Sequence, residues 1–546
     1  MAKTMLRLPI GIQDFESLRI DGYTYIDKTE YVYRLVNEGR YYFLSRPRRF
    51  GKSLLLSTIK ALFQGKRDLF KGLAIDQKED IDWTEYPILH LDLNTEKYDA
   101  KEKLENVLND FLTKAENSYG KMESETSPGL RFQGVIKRAY EKTGRRVVIL
   151  VDEYDKPMLQ AIGNKELQDE YRATLKGFYG ALKSMDGCIK FAMLTGVTKF
   201  GKVSVFSDLN NLMDISMLWK YHNICGITEE ELLATFDKKI DELAADNNIT
   251  RDECIAKLKN MYDGYHFNEY AKEGIYNPFS VLNTLNNGDF RSYWFETGTP
   301  SYLVELLRRH HYNLEQMSKA EVTSDVLNCI DAESNDPIPV IYQSGYLTIK
   351  DCKNYDIDII YTLDFPNAEV RRGFADCLFK HVAGKKMNSR QSSALQLAYY
   401  DFRDDGDLPA FIEALKVFFA GVLAPPKLGG YRGLNKRNTD AGSDPQPPNL
   451  GGFDAMLYTL FVSYGADVVA EDLSSQGRAD ITLKMPRGIY VMELKYNDTA
   501  EAALEQINRK GYADKYALDG RPVTKVGIAF SSEERNISDW RSEPKA

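Results

Sequence analysis

The sequence has no excess of basic charge. Its 71 Lys and Arg stand against 80 Asp and Glu, a formal net charge of −9. That excludes a chain-wide nucleic-acid-binding coat and leaves only a local basic groove open. Cysteine is sparse, and the six that occur (Cys188, Cys225, Cys254, Cys329, Cys352 and Cys377) include no C-x-x-C pair. Such scatter speaks for reduced core thiols and against a disulfide framework or a zinc site. No stretch approaches the roughly 20 apolar residues that a membrane span requires. The opening MAKTMLRLPIG lacks an apolar signal core. The expectation is a cytoplasmic protein with no membrane partner. No internal repeat is legible.

What is present is an ordinary globular composition, 43% hydrophobic and 28% charged, in a chain of 546 residues. That length is too great for one core. The N-terminal third alternates strand and helix. YYFLS (41–45), PILHLDL (87–93), VVILVDEYD (147–155) and KFAMLTGV (190–197) read as strands, and HNICGI (222–227) as a candidate last one. Continuous apolar runs suit parallel strands buried on both faces, and the alternation predicts a parallel sheet between helix layers. Ser53 to Phe63 and Lys101 to Lys114 have helical spacing. Thr228 and Glu231 form a capping-box pattern, after which residues 229–423 read as mainly helical. VIYQSGYLTIKD (340–351) and IIYTLDFP (359–366) there suggest a small hairpin, in a winged-helix module or a simple lid. The Pro/Gly-rich stretch 424–452 reads as linker or altered segment. A C-terminal α/β domain, 453–546, follows, with strands ADITLKM (479–485), GIYVMELKY (488–496) and KVGIAFS (525–531) and a helix from Thr499 to Tyr512.

The first strand runs into RPRRFGKS, Arg46 to Ser53. A strand, a tight loop and a helix N-terminus form a phosphate cradle, in which Lys52 reaches the β- and γ-phosphates and Ser53 holds Mg²⁺. Phe50 and Gly51 within this loop and Leu54 just after it are counted with the nucleotide contacts. Arg46 stands where a Walker A loop has its first glycine, and Arg46, Arg48 and Arg49 are placed to contact phosphate or a neighbouring copy of the chain. A homo-oligomer therefore stays open. The acids Asp152 and Glu153 end a buried strand as a Walker B does: Asp152 for Mg²⁺, Glu153 to polarise the attacking water. Thr195 and Thr198 are both candidates for sensing the γ-phosphate.

LPIGIQDF, YTYIDKTEYV, FLSRPRRFGKSLLLS, VVILVDEYDKPM and TGVTKFGKVSVFSDLNNL resemble the AAA-ATPase-like family of bacterial proteins over most of residues 6–230. The resemblance implies an additional-strand P-loop ATPase core and an RPRRFGKS loop in place of a full Walker A. It also implies Tyr25, Asp27 and Lys28 as a wall of the nucleotide site.

In the C-terminal domain Asp480 lies on one strand and Glu493-Leu494-Lys495 on the next. Glu493 and Lys495, two apart, share a strand face. Two acids at a hairpin end can hold Mg²⁺, and a lysine beside them can hold water or stabilise developing charge. GRADITL, GIYVMELKYN, ALEQINRKGYADKYA and KVGIAFSSEERNISDW resemble the PD-(D/E)XK nuclease superfamily over about residues 453–540. The resemblance implies Asp480, Glu493 and Lys495 as catalytic positions, with Gln506 a further candidate. The glutamate that the superfamily places on the preceding helix has no counterpart near Leu450; Asp454 is the nearest acid.

The fold expected is thus α/β: a P-loop core (1–228), a helical or winged-helix-like middle and a PD-(D/E)XK-like domain. The function expected is an ATPase coupled to a Mg²⁺-dependent nuclease acting on nucleic acid, DNA before RNA. The alternative is a nucleotide-dependent switch whose last domain binds without cleaving.

Overall fold

A computed structural model of the chain describes residues 6–199, 211–296, 317, 320–328, 337–355, 358–383, 389–421, 453–474 and 476–544. The linker expected at 424–452, the position near Leu450 and residues 200–210 fall outside them. Two compact units form, one from Met1–Tyr302 with Lys319–Glu369, the other from Leu303–Ser318 with Val370–Ala546.

The first unit is built on a five-stranded parallel sheet: β1 (Tyr41–Ser45), β2 (Ile88–Asp92), β3 (Val147–Asp152), β4 (Ile189–Gly196) and β5 (Met213–Asp214), in the order β2-β3-β4-β1-β5. Every residue of β3 is buried, as its unbroken apolar run requires of a strand covered on both faces. The order inserts β4 between β1 and β3, the additional-strand arrangement. Register then decides where chemistry gathers. Ser45 is level with Gly196, Leu44 with Thr195 and Asp92 with Asp152, so the carboxyl ends of four strands form one rim. The last strand is Met213–Asp214 and not 222–227. That stretch follows the 3-10 segment Trp219–Tyr221, Gly226 takes φ 88°, and only Ile227 makes an isolated bridge, to Tyr276.

Helices follow the sheet. The expected capping box closes on Thr228 and Glu231 and opens the helix Glu229–Asp246. Its apolar face joins Leu258, Tyr262, Val281 and Leu285 in one core. A short strand, β6 (Ala320–Thr323), extends the expected hairpin, which is present as β7 (Thr348–Tyr355) and β8 (Asp358–Asp364). The first residues of that segment differ from expectation: Ile338–Gln343 is helical, with proline in the first turn, and the helix stops before Gly345 at φ 88°.

The second unit carries a mixed sheet of β9 (Asp467–Ser474), β10 (Gly477–Met485), β11 (Gly488–Tyr496), β12 (Val523–Ser531) and β13 (Asn536–Pro544), in the order β13-β12-β11-β10-β9. β11 and β12 are parallel and the other pairs antiparallel. The helix Ala500–Lys510 lies on this sheet, with Leu504 and Ile507 against Val491 and Val523. The approach is close enough that a Cβ on Gly527 would sit 2.2 Å from the Ala500 carbonyl. KVGIAFS is therefore not the last strand, and β9 precedes those expected. Among the described residues no helix is long and apolar enough to cross a membrane.

Candidate functional sites

In the first unit, the loop between β1 and the helix Lys52–Phe63 turns on two left-handed residues, Arg49 (φ 67°) and Gly51 (φ 97°). The helix N-terminus thereby faces the rim made by the strand ends. A cavity of ≈ 580 Å³ opens there, lined by Arg48, Arg49, Gly51, Lys52, Ser53, Leu54 and Glu153. Seven of the residues read from sequence as nucleotide contacts thus meet around one space. The Lys52 side chain is 3% exposed. Its ammonium donates to the carbonyls of Arg46 (3.0 Å) and Pro47 (3.3 Å) and pairs with Glu153 at 3.4 Å. Glu153 itself has φ 53°, a conformation a glutamate adopts only when its surroundings dictate it.

Asp152 accepts the Thr195 hydroxyl at 2.7 Å and the Glu153 amide at 3.0 Å, both on Oδ1. Thr195 is fully buried. Its contact is with the acid, and it does not line the cavity. Thr198 is likewise engaged, donating its hydroxyl and amide to Asp155. Burial, with Glu153 adding to it, pushes the Asp155 carboxyl up to about 6. Ser53 in the first turn of the helix and Asp152 at the end of β3 present the hydroxyl and carboxylate oxygens that a hard cation takes.

A second, apolar cavity of ≈ 100 Å³ shares Gly51, Leu54 and Leu282 with the first. Tyr25, Phe50, Ile224, Ile227 and Phe236 complete its wall, with Lys28. Tyr25 and Lys28 thus line this cavity. Asp27 does not: it accepts from Thr29 and from the Ala74 amide. Nothing in the sequence pattern pointed to Ile224, Phe236 or Leu282, which come from far along the chain.

Arg46 is corrected. Its side chain turns away from the cavity and is 1% exposed. The guanidinium donates to the carbonyls of Ser45, Ser216, Tyr221 and His222 at 2.9, 2.7, 3.1 and 3.4 Å and lies 4.1 Å over the Phe267 ring. Burial pulls it down to about 10. Arg46 therefore holds the loop from beneath, while the Trp294 indole N–H donates to the Arg48 carbonyl above it at 3.1 Å. Replacing Arg46 by alanine strands several buried carbonyls. It is expected to destabilise the first unit by about 2–4 kcal/mol, read as a lower thermal midpoint with the Lys495-dependent properties of the second unit unchanged.

In the second unit, Leu494 N–H donates to Asp480 Oδ2 at 2.7 Å, which fixes the two acid-bearing strands at the site. The Lys495 ammonium donates to Glu493 Oε1 at 2.9 Å and to Gln506 Oε1 at 2.7 Å. Gln506 in turn donates to Glu493 and, at 3.3 Å, to the Tyr512 hydroxyl. Asp480, Glu493, Lys495 and Gln506 are thus brought together. Glu493 is 2% exposed. Burial, and Asp480 beside it, push its carboxyl up to about 7. Its second oxygen, Oε2, is buried without a hydrogen-bond partner among the described residues. An orphaned carboxylate oxygen next to a second acid fits a divalent cation, and Mg²⁺ keeps waters where protein ligands are few. Asp454 is not drawn into this pair: among the described residues no three His, Cys, Asp or Glu side chains converge.

Residues 9–206 match the family model of a predicted AAA-ATPase, and residues 451–540 match that of the PD-(D/E)XK nuclease superfamily. Over 536 residues the chain is 35% identical to the uncharacterized protein in the vnfD 5′ region of Azotobacter chroococcum mcd 1, covering 97% of this chain and 98% of that one. A likeness that runs the length of both chains, with the loop, strand-end acids and Asp/Glu/Lys cluster in their expected order, makes this chain a member of the family of predicted AAA-ATPases that carry a C-terminal PD-(D/E)XK nuclease superfamily domain.

Proposed function

We propose that the first unit binds and hydrolyses ATP, and that this cycle controls a Mg²⁺-dependent cleavage of nucleic acid, DNA before RNA, by the second. The convergence of Lys52, Ser53 and Glu153 on one cavity that continues into an apolar one carries the ATPase reading. The adenine ring takes the apolar cavity, and the phosphates run toward the helix N-terminus and the Lys52 ammonium. Lys52 exchanges Glu153 for phosphate oxygens, and the carboxylate so released holds the attacking water. Thr195 keeps Asp152 oriented. In the second unit Asp480 and Glu493 accept the cation, Gln506 orients Glu493, and Lys495 stabilises charge on the phosphodiester. At both sites bound Mg²⁺ supplies charge neutralisation and a more acidic water. We assign the nucleotide-binding part to residues 1–228, the lid to 229–423 and the nuclease-like part to 453–546.

The switch reading, in which the second unit binds and does not cleave, is favoured by one observation: two acids, and not three, converge among the described residues. The test is to incubate supercoiled DNA, linear DNA and RNA with the full chain, with Mg²⁺ or Mn²⁺, with and without ATP. Cleavage is expected from the wild type and is expected to fall at least about a hundredfold in Lys495→Ala. Tight binding with no cleavage by the wild type sinks the nuclease reading and selects the switch. Cleavage that persists in Lys495→Ala removes the assigned site.

A further inference from the structure

After Asp152 the chain reverses through Glu153, so the short helix Lys156–Gln160 begins beside the phosphate cavity and not behind the sheet. Lys156 N–H closes that turn on the Glu153 carbonyl at 3.0 Å. Its side chain lines the same cavity as Lys52, Ser53 and Glu153. The ammonium donates to the carbonyl and side-chain oxygens of Asn94 at 3.0 and 2.9 Å. An ammonium has three N–H donors, and these two acceptors are both neutral oxygens of one residue. Asn94 lies just beyond the end of β2, three strand positions from β1, or roughly 14 Å across the sheet. The two lysines therefore enter the cavity from different ends of the rim, with Glu153 between them. Burial pulls the Lys156 ammonium below the ordinary lysine range, and Glu153 and Asp92 oppose that pull. The side chain is half-buried and its two hydrogen-bond acceptors are neutral oxygens, so its charge can meet an anion that enters the cavity.

We propose that Lys156 meets the γ-phosphoryl group from the β2 side and stabilises its charge during transfer, so that the site completes itself within one chain and takes no arginine from a second copy. This rests on the ATPase reading above. Charge on the equatorial oxygens is met by Lys52 from the loop and by Lys156 from the helix after β3, and Glu153 holds the water in line between them. Losing one charge-stabilising donor of this kind costs about 10²–10³ in turnover.

The experiment compares the full-length wild type, Lys156→Gln, Lys156→Arg and Lys52→Ala. Lys156→Gln is expected to lower kcat by about 10²–10³-fold with KM nearly constant. It is expected to bind adenosine 5′-(γ-thio)triphosphate as the wild type does, yet to fail to trap ADP with aluminium fluoride, a mimic of the transferring phosphoryl group. Lys156→Arg is expected to restore part of the rate and confirms that the fold tolerates change there. Turnover per chain is expected to stay constant from nanomolar to micromolar protein. The proposal is overturned if Lys156→Gln turns over within about threefold of wild type, or if it loses analogue affinity as much as rate, the mark of a merely structural tie to Asn94. It is overturned too if turnover climbs with protein concentration and Lys156→Gln is rescued by added Lys52→Ala chains. A wild type that hydrolyses no ATP, or a Lys52→Ala that hydrolyses it fully, brings down the ATPase reading itself; a normal Lys156→Gln beside a dead Lys52→Ala brings down only this step.

Discussion

ATP turnover is expected to fall at least about a thousandfold when Lys52 is replaced by alanine. The side chain is enclosed, with an exposure of 3%, and its ammonium is held by two carbonyls and the Glu153 carboxylate. Removing it takes away the charge proposed to meet the phosphates and leaves Glu153 without its cation. Affinity and rate are expected to fall together, because in the proposed cycle the ammonium meets the β- and γ-phosphates before as well as during transfer. Lys52→Arg is expected to fare little better, since a planar guanidinium does not fit a pocket shaped around a point charge. The check is a coupled hydrolysis assay beside a fluorescent-nucleotide titration. Turnover unchanged in Lys52→Ala ends the ATPase reading, whatever the second unit does.

The parts of this site that the sequence made legible are those dictated by backbone environment. β1, β3 and β4 are buried on both faces, so each had to be a continuous apolar run, and the serine, acid and glycine that end them mark the rim. Edge strands obey a weaker rule. β9 and β13 have one open edge and expose many of their side chains, so DVVAEDLS and NISDWRSEP alternate with polar residues and pass for loop. Arg46 was misread for a different reason. Its place in the motif says phosphate, but motif position does not say which way a side chain turns, and five carbonyl- and ring-bearing neighbours from residues 45, 216, 221, 222 and 267 took it. The same limit hid Lys156. It stands openly in VDEYDKPM, but the spacing does not tell that the chain after the left-handed Glu153 brings Lys156 to the wall of the cavity. In the second unit, spacing was sufficient: residues two apart on a strand share a face, so Glu493 and Lys495 had to meet, and the register of β10 on β11 brought Asp480 to them.

Divalent-cation binding at Glu493 is expected to depend on pH, and Glu493→Gln to abolish it. The Glu493 carboxyl stands at about 7 in place of its ordinary 4.5, raised first by burial and then by Asp480. A cation takes the ionised form, so below pH 7 binding must first expel a proton. The affinity of the full chain for Mn²⁺ is therefore expected to rise about tenfold per pH unit from pH 5.5 to 7 and to level off above pH 8. Isothermal titration in buffers of different ionisation enthalpy is expected to show close to one proton released at the acid end and almost none at the alkaline end. The same shift acts on stability, with a definite sign. The folded unit binds this proton more tightly than the unfolded chain does, so its stability falls as pH rises from about 4.5 to about 7 and is constant beyond. Glu493→Gln, which keeps the shape and removes the charge, is then expected to raise the melting midpoint of the second unit at pH 8, by up to about 3 kcal/mol in stability, and to leave it unchanged near pH 4. A variant that is both more stable and unable to bind cation identifies a carboxylate retained for its ligand and against the fold's own interest. Equal melting at both pH values, or Mn²⁺ affinity that does not respond to pH, refutes the assignment of Glu493 as a buried, cation-seeking acid.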